Sequence, residues 1–253
     1  MTGTVYLVGA GPGAADLLTL RAARLLAEAD LVLHDALVTD EVLALAPRAR
    51  RLAVGKRAGR PSTDQAVINR LLVRAARHHR VIVRLKGGDP MLFGRAQEEI
   101  DALRAAGVPH EVVPGVSAGF AAAAEIAQSL THRRLSRSVA FVTPALARGA
   151  EADDSWADAA AAADTAVVYM GKAEAVRIRD ALIARGVPAR RPAVLVEGAS
   201  RGGIVAGGSL GSLEALAGRA GDGPALLLIG EAFARAAADH AAAADEGDAA
   251  RSA

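Results

Sequence analysis

The sequence predicts an α/β fold: two α/β domains, each with a mostly parallel or mixed five-stranded sheet. Three observations predict it. Short apolar, β-branched runs alternate with helical patterns from the first residues onward. Several of these runs stop at glycine-rich turns, as strands do when they deliver a loop at their carboxyl edge. Near residues 114–119 a proline-glycine turn intervenes and a second series begins, without obvious sequence repetition. The domains are therefore expected at 1–116 and 117–236. Residues 237–253, rich in alanine and aspartate, are expected to form a disordered tail.

Taken in order, Val5-Tyr6-Leu7-Val8 is a short strand ending in Gly9-Ala10-Gly11-Pro12-Gly13. A helix follows over 17–29, with Leu17, Leu18, Leu20, Leu25 and Leu26 on its buried side. A dinucleotide fingerprint fails here, because GxGxxG needs glycine where Ala14 stands, and Pro12 removes an amide. Strands at 31–34 and 51–54 flank a helical stretch at 41–45; they deliver Asp35 and Gly55-Lys56-Arg57. A helix over 63–77 precedes the strand Arg80-Val81-Ile82-Val83, and one over 97–106 ends at Gly107, a C′ terminator. Strand 110–113 leads to Pro114-Gly115-Val116-Ser117-Ala118, and a helix over 118–128 connects the domains. In the second series strands are expected at 139–143, 165–170, 193–197, 203–206 and 225–229. A helix is expected at 173–185, and a loop plus surface helix across 147–164.

The turn Lys86-Gly87-Gly88-Asp89-Pro90 organises the rest. Ligands of open α/β sheets sit beyond the strand C-termini. Paired glycines permit positive φ and close approach to the main chain, and Asp89 adds an acceptor for an amino or hydroxyl group. A plain strand-to-helix turn is the alternative reading.

Composition narrows the function classes. Of 253 residues, 52% are hydrophobic but only 3% aromatic, so small side chains fill much of the core. No apolar run approaches the ~20 residues of a membrane span. The N-terminus enters a strand at once, which predicts no signal peptide and a cytoplasmic location. With no cysteine, thiolate metal sites and thiol nucleophiles are excluded. The six histidines show no ligand spacing, and His78-His79 reads as a helix end, so no metal is expected. A net charge of +2 is too small for a general polyanion binder. Arg48, Arg50, Arg51, Lys56, Arg57 and Arg60 cluster, as do Arg133, Arg134 and Arg137. Either these are solvated faces or they line a rim that receives an acidic small molecule.

Lys86-Gly87-Gly88-Asp89-Pro90 followed by Phe93-Gly94-Arg95 resembles the signature of the tetrapyrrole methylases, most of all members that C-methylate uroporphyrinogen III. The resemblance covers about residues 4–232. It implies S-adenosylmethionine as cofactor, folded in a cleft between the two domains. Pro12, Gly87, Gly88, Asp89, Leu92, Ser117, Ala118, Met170, Ala199 and Ala225 would be its binding residues. It implies Asp35 as proton acceptor, Lys56 as proton donor and Arg95 as partner of an acidic macrocycle. Helix capping for Asp35 and surface charge for Lys56 are the plainer readings. Glu98 and Glu99 read as favourable charge in a first helical turn. The implied reaction converts uroporphyrinogen III to precorrin-2 in sirohaem or cobalamin synthesis, by a homodimer with neither nucleic-acid nor membrane partners. With no further N-terminal nucleotide-binding module, later oxidation and metal insertion are not expected. Departures fall where substrate would be read: Ala36 replaces an arginine, Val142-Thr143-Pro144-Ala145 loses a histidine, and Arg134, Gly198, Ser200 and Ala96-Gln97 also differ. A same-fold methylase acting on another corrinoid precursor, macrocycle or peptide, or a tetrapyrrole-binding protein without turnover, are the alternatives.

Overall fold

A computed structural model describes residues 2–55, 64–145 and 153–241. The chain divides into two compact units, Met1–Ala118 and Gly119–Ala253.

In the first unit five strands form one parallel sheet: β1 (Thr4–Gly9), β2 (Leu31–His34), β3 (Arg50–Ala53), β4 (Val81–Lys86) and β5 (His110–Val113). Their order is β3-β2-β4-β1-β5. Helices α1 (Leu20–Glu28) and α2 (Asp40–Ala44) cover one face through Leu26, Val42 and Leu43, against Val8, Val32, Val83 and Leu85. On the other face, α3 (Gln65–Ala75) and α4 (Ala96–Ala105) pack Ile68, Leu72, Ile100 and Leu103 against Leu7, Leu33 and Ile82. Strands buried on both faces read as continuous apolar runs, which is how they stand in the sequence.

The first helix is shorter than its pattern suggests. Ala15–Leu17 is a 3-10 turn, Leu18 is extended, and the Thr19 hydroxyl caps α1 by accepting from Ala22 N at 3.1 Å. Leu20, expected inside, is exposed. Gly107 does terminate α4, with φ of 64° and Val108 N donating to Leu103 O.

The second unit carries a mixed sheet of β6 (Val139–Val142), β7 (Thr165–Tyr169), β8 (Pro192–Glu197), β9 (Val205–Ser209) and β10 (Ala225–Gly230). Its order is β6-β7-β10-β8-β9, with only β6 and β7 parallel. Helix α5 (Ala118–Glu125) opens this unit, and α6 (Ser155–Ala162), α7 (Ala175–Ala184) and α8 (Leu213–Arg219) follow. The expected surface helix, α6, buries Trp156, Ala157 and Ala160 in the core with Leu182, Leu195 and Leu227. Helix α8 has no counterpart in the sequence reading. A final helix across 234–241 continues past the expected start of the tail at 237. Its continuation has a packing reason: Ala236 and Ala237 are buried, and a Cβ on Gly207 of β9 would collide with the Ala237 main chain.

Candidate active site

In the first unit α1 leaves β1 on one face, while α4 leaves the adjacent β4 on the other. The crevice beyond the carboxyl ends of β1 and β4 is therefore the switch point where an open α/β sheet binds ligands. Glycines occupy it. Gly11 and Gly88 exchange main-chain hydrogen bonds, N to O, at 3.2 and 2.7 Å, with φ values of 70° and 66°. Ala10 N donates to Lys86 O at 2.7 Å. A Cβ added to Gly88 would make ordinary contacts with Ala118 N and Ser117 Cα, at 3.7 and 3.8 Å, so the φ of 66° rather than crowding is what calls for glycine. At Gly87 a Cβ would meet Leu37 Cβ at 3.3 Å.

Asp89 fixes these turns from within. Its Oδ1 accepts from Met91 N at 2.8 Å and its Oδ2 from Gly115 N at 2.9 Å. Each carboxylate oxygen already holds one main-chain donor, a role the sequence reading did not include. The loop after Asp89 is strained, since Phe93 and Arg95 both take left-handed φ, 53° and 55°. Between them, a Cβ on Gly94 would stand 2.6 Å from Pro90 O.

At the end of β2, Asp35 Oδ1 accepts from Arg84 Nη2 at 2.6 Å, its side chain 29% exposed against 3% for Arg84. Arg84 Nε then donates to Glu99 Oε1 at 3.0 Å. Lys86 Nζ donates to both Glu99 oxygens, at 3.1 and 3.2 Å, and Gln65 Nε2 to Oε1 at 3.1 Å. Glu99 is thus not a solvated first-turn charge: its side chain is fully buried between two cations of β4. Burial lowers the Lys86 pKa from its ordinary value, with Arg84 adding to the effect and Glu99 opposing it. The sequence reading gave Arg84 no role and Glu99 only a first-turn one. The available signal was Arg84 and Lys86 at i and i+2, two cations on one face of an otherwise apolar strand, which require a buried acid.

The sequence-named residues of the first unit gather along one edge: Pro12 after β1, Asp35 after β2, Gly87, Gly88, Asp89 and Leu92 after β4, and Ser117 and Ala118 after β5. Lys56 lies outside the described residues. It follows Gly55, where a Cβ would stand 3.0 Å from the Asp35 carbonyl carbon. Arg95, expected to meet substrate, makes a bidentate pair with Glu98 at 2.8 and 2.8 Å on an exposed surface.

Within the second unit Met170, Ala199 and Ala225 lie at one end of the sheet. Ala225 pairs with Glu197, Leu226 with Tyr169, and Gly198 N donates to Pro224 O at 2.9 Å. Met170 has φ of 55° and is exposed, so the core position typical of strand methionines is not its place. Glu197 holds the turn before β10 by accepting from Gly221 N and Gly223 N.

For the described members of the basic clusters, topology favours solvated faces over a rim. Arg50 and Arg51 begin β3, beside Leu31, at the end of the sheet opposite the glycine turns, and Arg48 donates to Ala27 O. Arg57 and Arg60 lie outside the described residues. Arg137 N is held by Asp164 at the start of β6, again away from Met170 and Ala225. No described group of three or more histidines, cysteines, aspartates or glutamates is placed to hold a metal ion.

Residues 4–213 match the Tetrapyrrole (Corrin/Porphyrin) Methylases. The chain belongs to this family. Among its relatives, siroheme synthase 1 of Serratia proteamaculans is 48% identical over 231 residues, 90% of this chain and 48% of that protein. The chain spans about half the length of the curated relatives it matches. The uroporphyrin III C-methyltransferase of Thermus thermophilus superposes with a TM-score of 0.78 at 42% identity, covering 91% and 93% of the two chains. A structure of the Thermus enzyme complexed with S-adenosyl homocysteine gives 0.77 at 44% identity, covering 91% of this chain and 99% of that one. A cobalamin biosynthetic enzyme, cobalt precorrin-4 methyltransferase, shares the fold at 28% identity with a TM-score of 0.78, covering 91% and 95%.

Proposed function

We propose that the chain is an S-adenosylmethionine-dependent C-methyltransferase that methylates uroporphyrinogen III at two ring carbons, giving precorrin-2. The observation that carries this reading is the glycine-lined switch point at Gly11 and Gly88, in a methylase 42% identical to a uroporphyrin III C-methyltransferase over nine-tenths of the chain. Main chain without side chains at Gly11 and Gly88, both at positive φ, suits a ligand bound through main-chain groups. Pro12, Gly87, Gly88, Asp89, Leu92, Ser117, Ala118, Met170, Ala199 and Ala225 would be the cofactor-binding residues. When bound, the cofactor supplies an electrophilic methyl group on a sulfonium.

The chain's own work is orientation and proton handling. Asp35 takes the proton that the macrocycle gives up after methylation, from a ring nitrogen or bridging carbon, since the methylated ring carbon already bears a side chain and carries no hydrogen. Its Oδ1 is engaged by Arg84, while Oδ2 takes no hydrogen bond from the described residues, so Oδ2 is the accepting atom. Lys56 donates a proton, and Arg95 exchanges Glu98 for a macrocycle carboxylate. A homodimer acting in the cytoplasm, in sirohaem synthesis, completes the reading; no described helix is long and apolar enough to cross a membrane.

Anaerobic incubation with uroporphyrinogen III and labelled cofactor, followed by mass spectrometry, tests this. Addition of two methyl groups is expected; cofactor binding without a methylated product would overturn the substrate. A corrinoid precursor would then be the next acceptor to try, since Ala36, Pro144 and Ala145 replace polar groups of the family pattern.

A further inference from the structure

Four charged groups run in sequence through the first unit: Asp35, Arg84, Glu99 and Lys86. Three are essentially buried, and only Asp35 reaches solvent. A well-packed apolar cluster would hold β4 against α4 at least as firmly as buried ion pairs do, so stability alone does not account for them. The geometry is directional. The Arg84 guanidinium is a rigid fork whose Nη2 faces Asp35 and whose Nε faces Glu99, so the position of Glu99 fixes the aim of Nη2. Lys86 and Gln65 in turn fix Glu99, and Lys86 balances the charge Arg84 leaves over.

We infer that Glu99 is a positioning residue for methyl transfer: a buried anion on α4 that acts through Arg84 to hold the Asp35 carboxylate in its proton-accepting orientation. The inference rests on the reading of Asp35 as proton acceptor. Glu99 touches neither substrate nor cofactor in this account. Its effect therefore belongs in turnover and should vanish when Asp35 can no longer accept a proton.

Glu99→Gln, Asp35→Asn and the double variant in the full chain test it, by single-turnover methylation of uroporphyrinogen III and calorimetry with S-adenosylhomocysteine. Glu99→Gln is expected to lower the rate about tenfold or more, short of the ~100- to 10,000-fold of an acid–base group itself. Substrate KM and cofactor affinity should stay within about twofold. Added to Asp35→Asn, it should cost nothing further, because residues acting as one unit are not additive. An equal rate loss in both backgrounds, or a rise in KM alone, would overturn the inference and leave a structural salt bridge. Should Glu99→Gln fail to fold, Arg84→Lys replaces it in the cycle with the same expectation, since lysine keeps the buried charge but cannot span both carboxylates. No methylated product from the wild type would overturn the assigned function and this inference with it.

Discussion

Gly9 and Gly115 touch through their main chains: a Cβ on Gly9 would stand 2.6 Å from Gly115 Cα and 2.7 Å from Gly88 O. The turns after β1, β4 and β5 thus meet backbone to backbone, with Asp89 as the side-chain tie. Gly9→Ala should destabilise the protein by about 1–3 kcal/mol, the usual cost of overpacking, and weaken S-adenosylhomocysteine binding about tenfold or more. Gly107→Ala is the control, where φ is 64° but nothing lies within 4 Å; it should cost only about 1 kcal/mol and leave affinity unchanged. Urea unfolding and calorimetry on both variants decide whether the packing of the turns, rather than stability in general, governs binding.

Lys86 gives a pH dependence whose sign follows from its burial. Its folded pKa lies below the ordinary 10.5, so between the two values the unfolded chain holds more protons. Stability from this group is therefore lowest below the folded pKa and rises with pH through that window. Wild type should gain on Lys86→Met as pH rises from neutral toward about 10. A stability difference that is flat, or falls, over that range would contradict the burial of a charged lysine.

Asp30 and Asp164 carry the same sign of dependence into the acid range. Each sits just before a strand and accepts main-chain N–H groups at the start of a neighbouring one: Arg80 and Val81 for Asp30, Arg137 and Ser138 for Asp164. Main-chain hydrogen bonds hold both carboxyls below their ordinary 3.8. Their contribution is complete above that value and is lost as pH falls through the lowered pKa. Asp30→Ala and Asp164→Ala should each lower stability at neutral pH and flatten the acid limb of a pH–stability curve; an unchanged limb would remove the claim.

Much of the fold was legible because buried parallel strands write themselves as apolar runs: β1, β2 and β5 end at or within a residue of the expected boundary, while β4 runs three residues past its own, to Lys86. Glycine turns marked the ligand edge for the same local reason. What escaped depends on partners distant in sequence. Glu99 looks like any first-turn acid until Arg84 and Lys86 are placed beneath it, and the main-chain role of Asp89 shows only once Gly115 comes alongside. Arg50 and Arg51 could be read as a solvated face or as rim residues, because charge clusters carry no record of which end of a strand they occupy. Leu20 misled through simple helical spacing, which Leu18 and Thr19 interrupt.

Asp35→Asn should lower turnover by ~100- to 10,000-fold while leaving cofactor affinity nearly intact. Ala36→Arg, restoring the family residue beside it, should improve substrate KM. Steady-state kinetics under anaerobic conditions measure both; a loss of cofactor affinity in Asp35→Asn would move Asp35 from chemistry to binding.

The proposed homodimer has a candidate contact in the second unit, where exposed Phe120 stacks edge-on against Phe141 at 5.7 Å beside an apolar groove of Ala124, Ala127 and Val139. Phe120→Asp should shift the protein toward a monomer in light scattering, since a charge inside an apolar contact is unfavourable. A dimer of undiminished strength would place the contact elsewhere.

The β8–β9 pairing has a consequence for the order in which the chain acquires structure. Residues 198–204 are all that separate these antiparallel strands, whereas neighbours in the first sheet are joined through helices or across intervening strands. Short-range pairing closes a small loop and forms early; parallel pairing must first close long ones. The second unit therefore holds the quicker nucleus, and the first, though synthesised earlier, must wait for β4 to enter between β1 and β2. Pulsed hydrogen exchange during refolding should find amides of β8 and β9 protected before those of β4, and the reverse order would refute it.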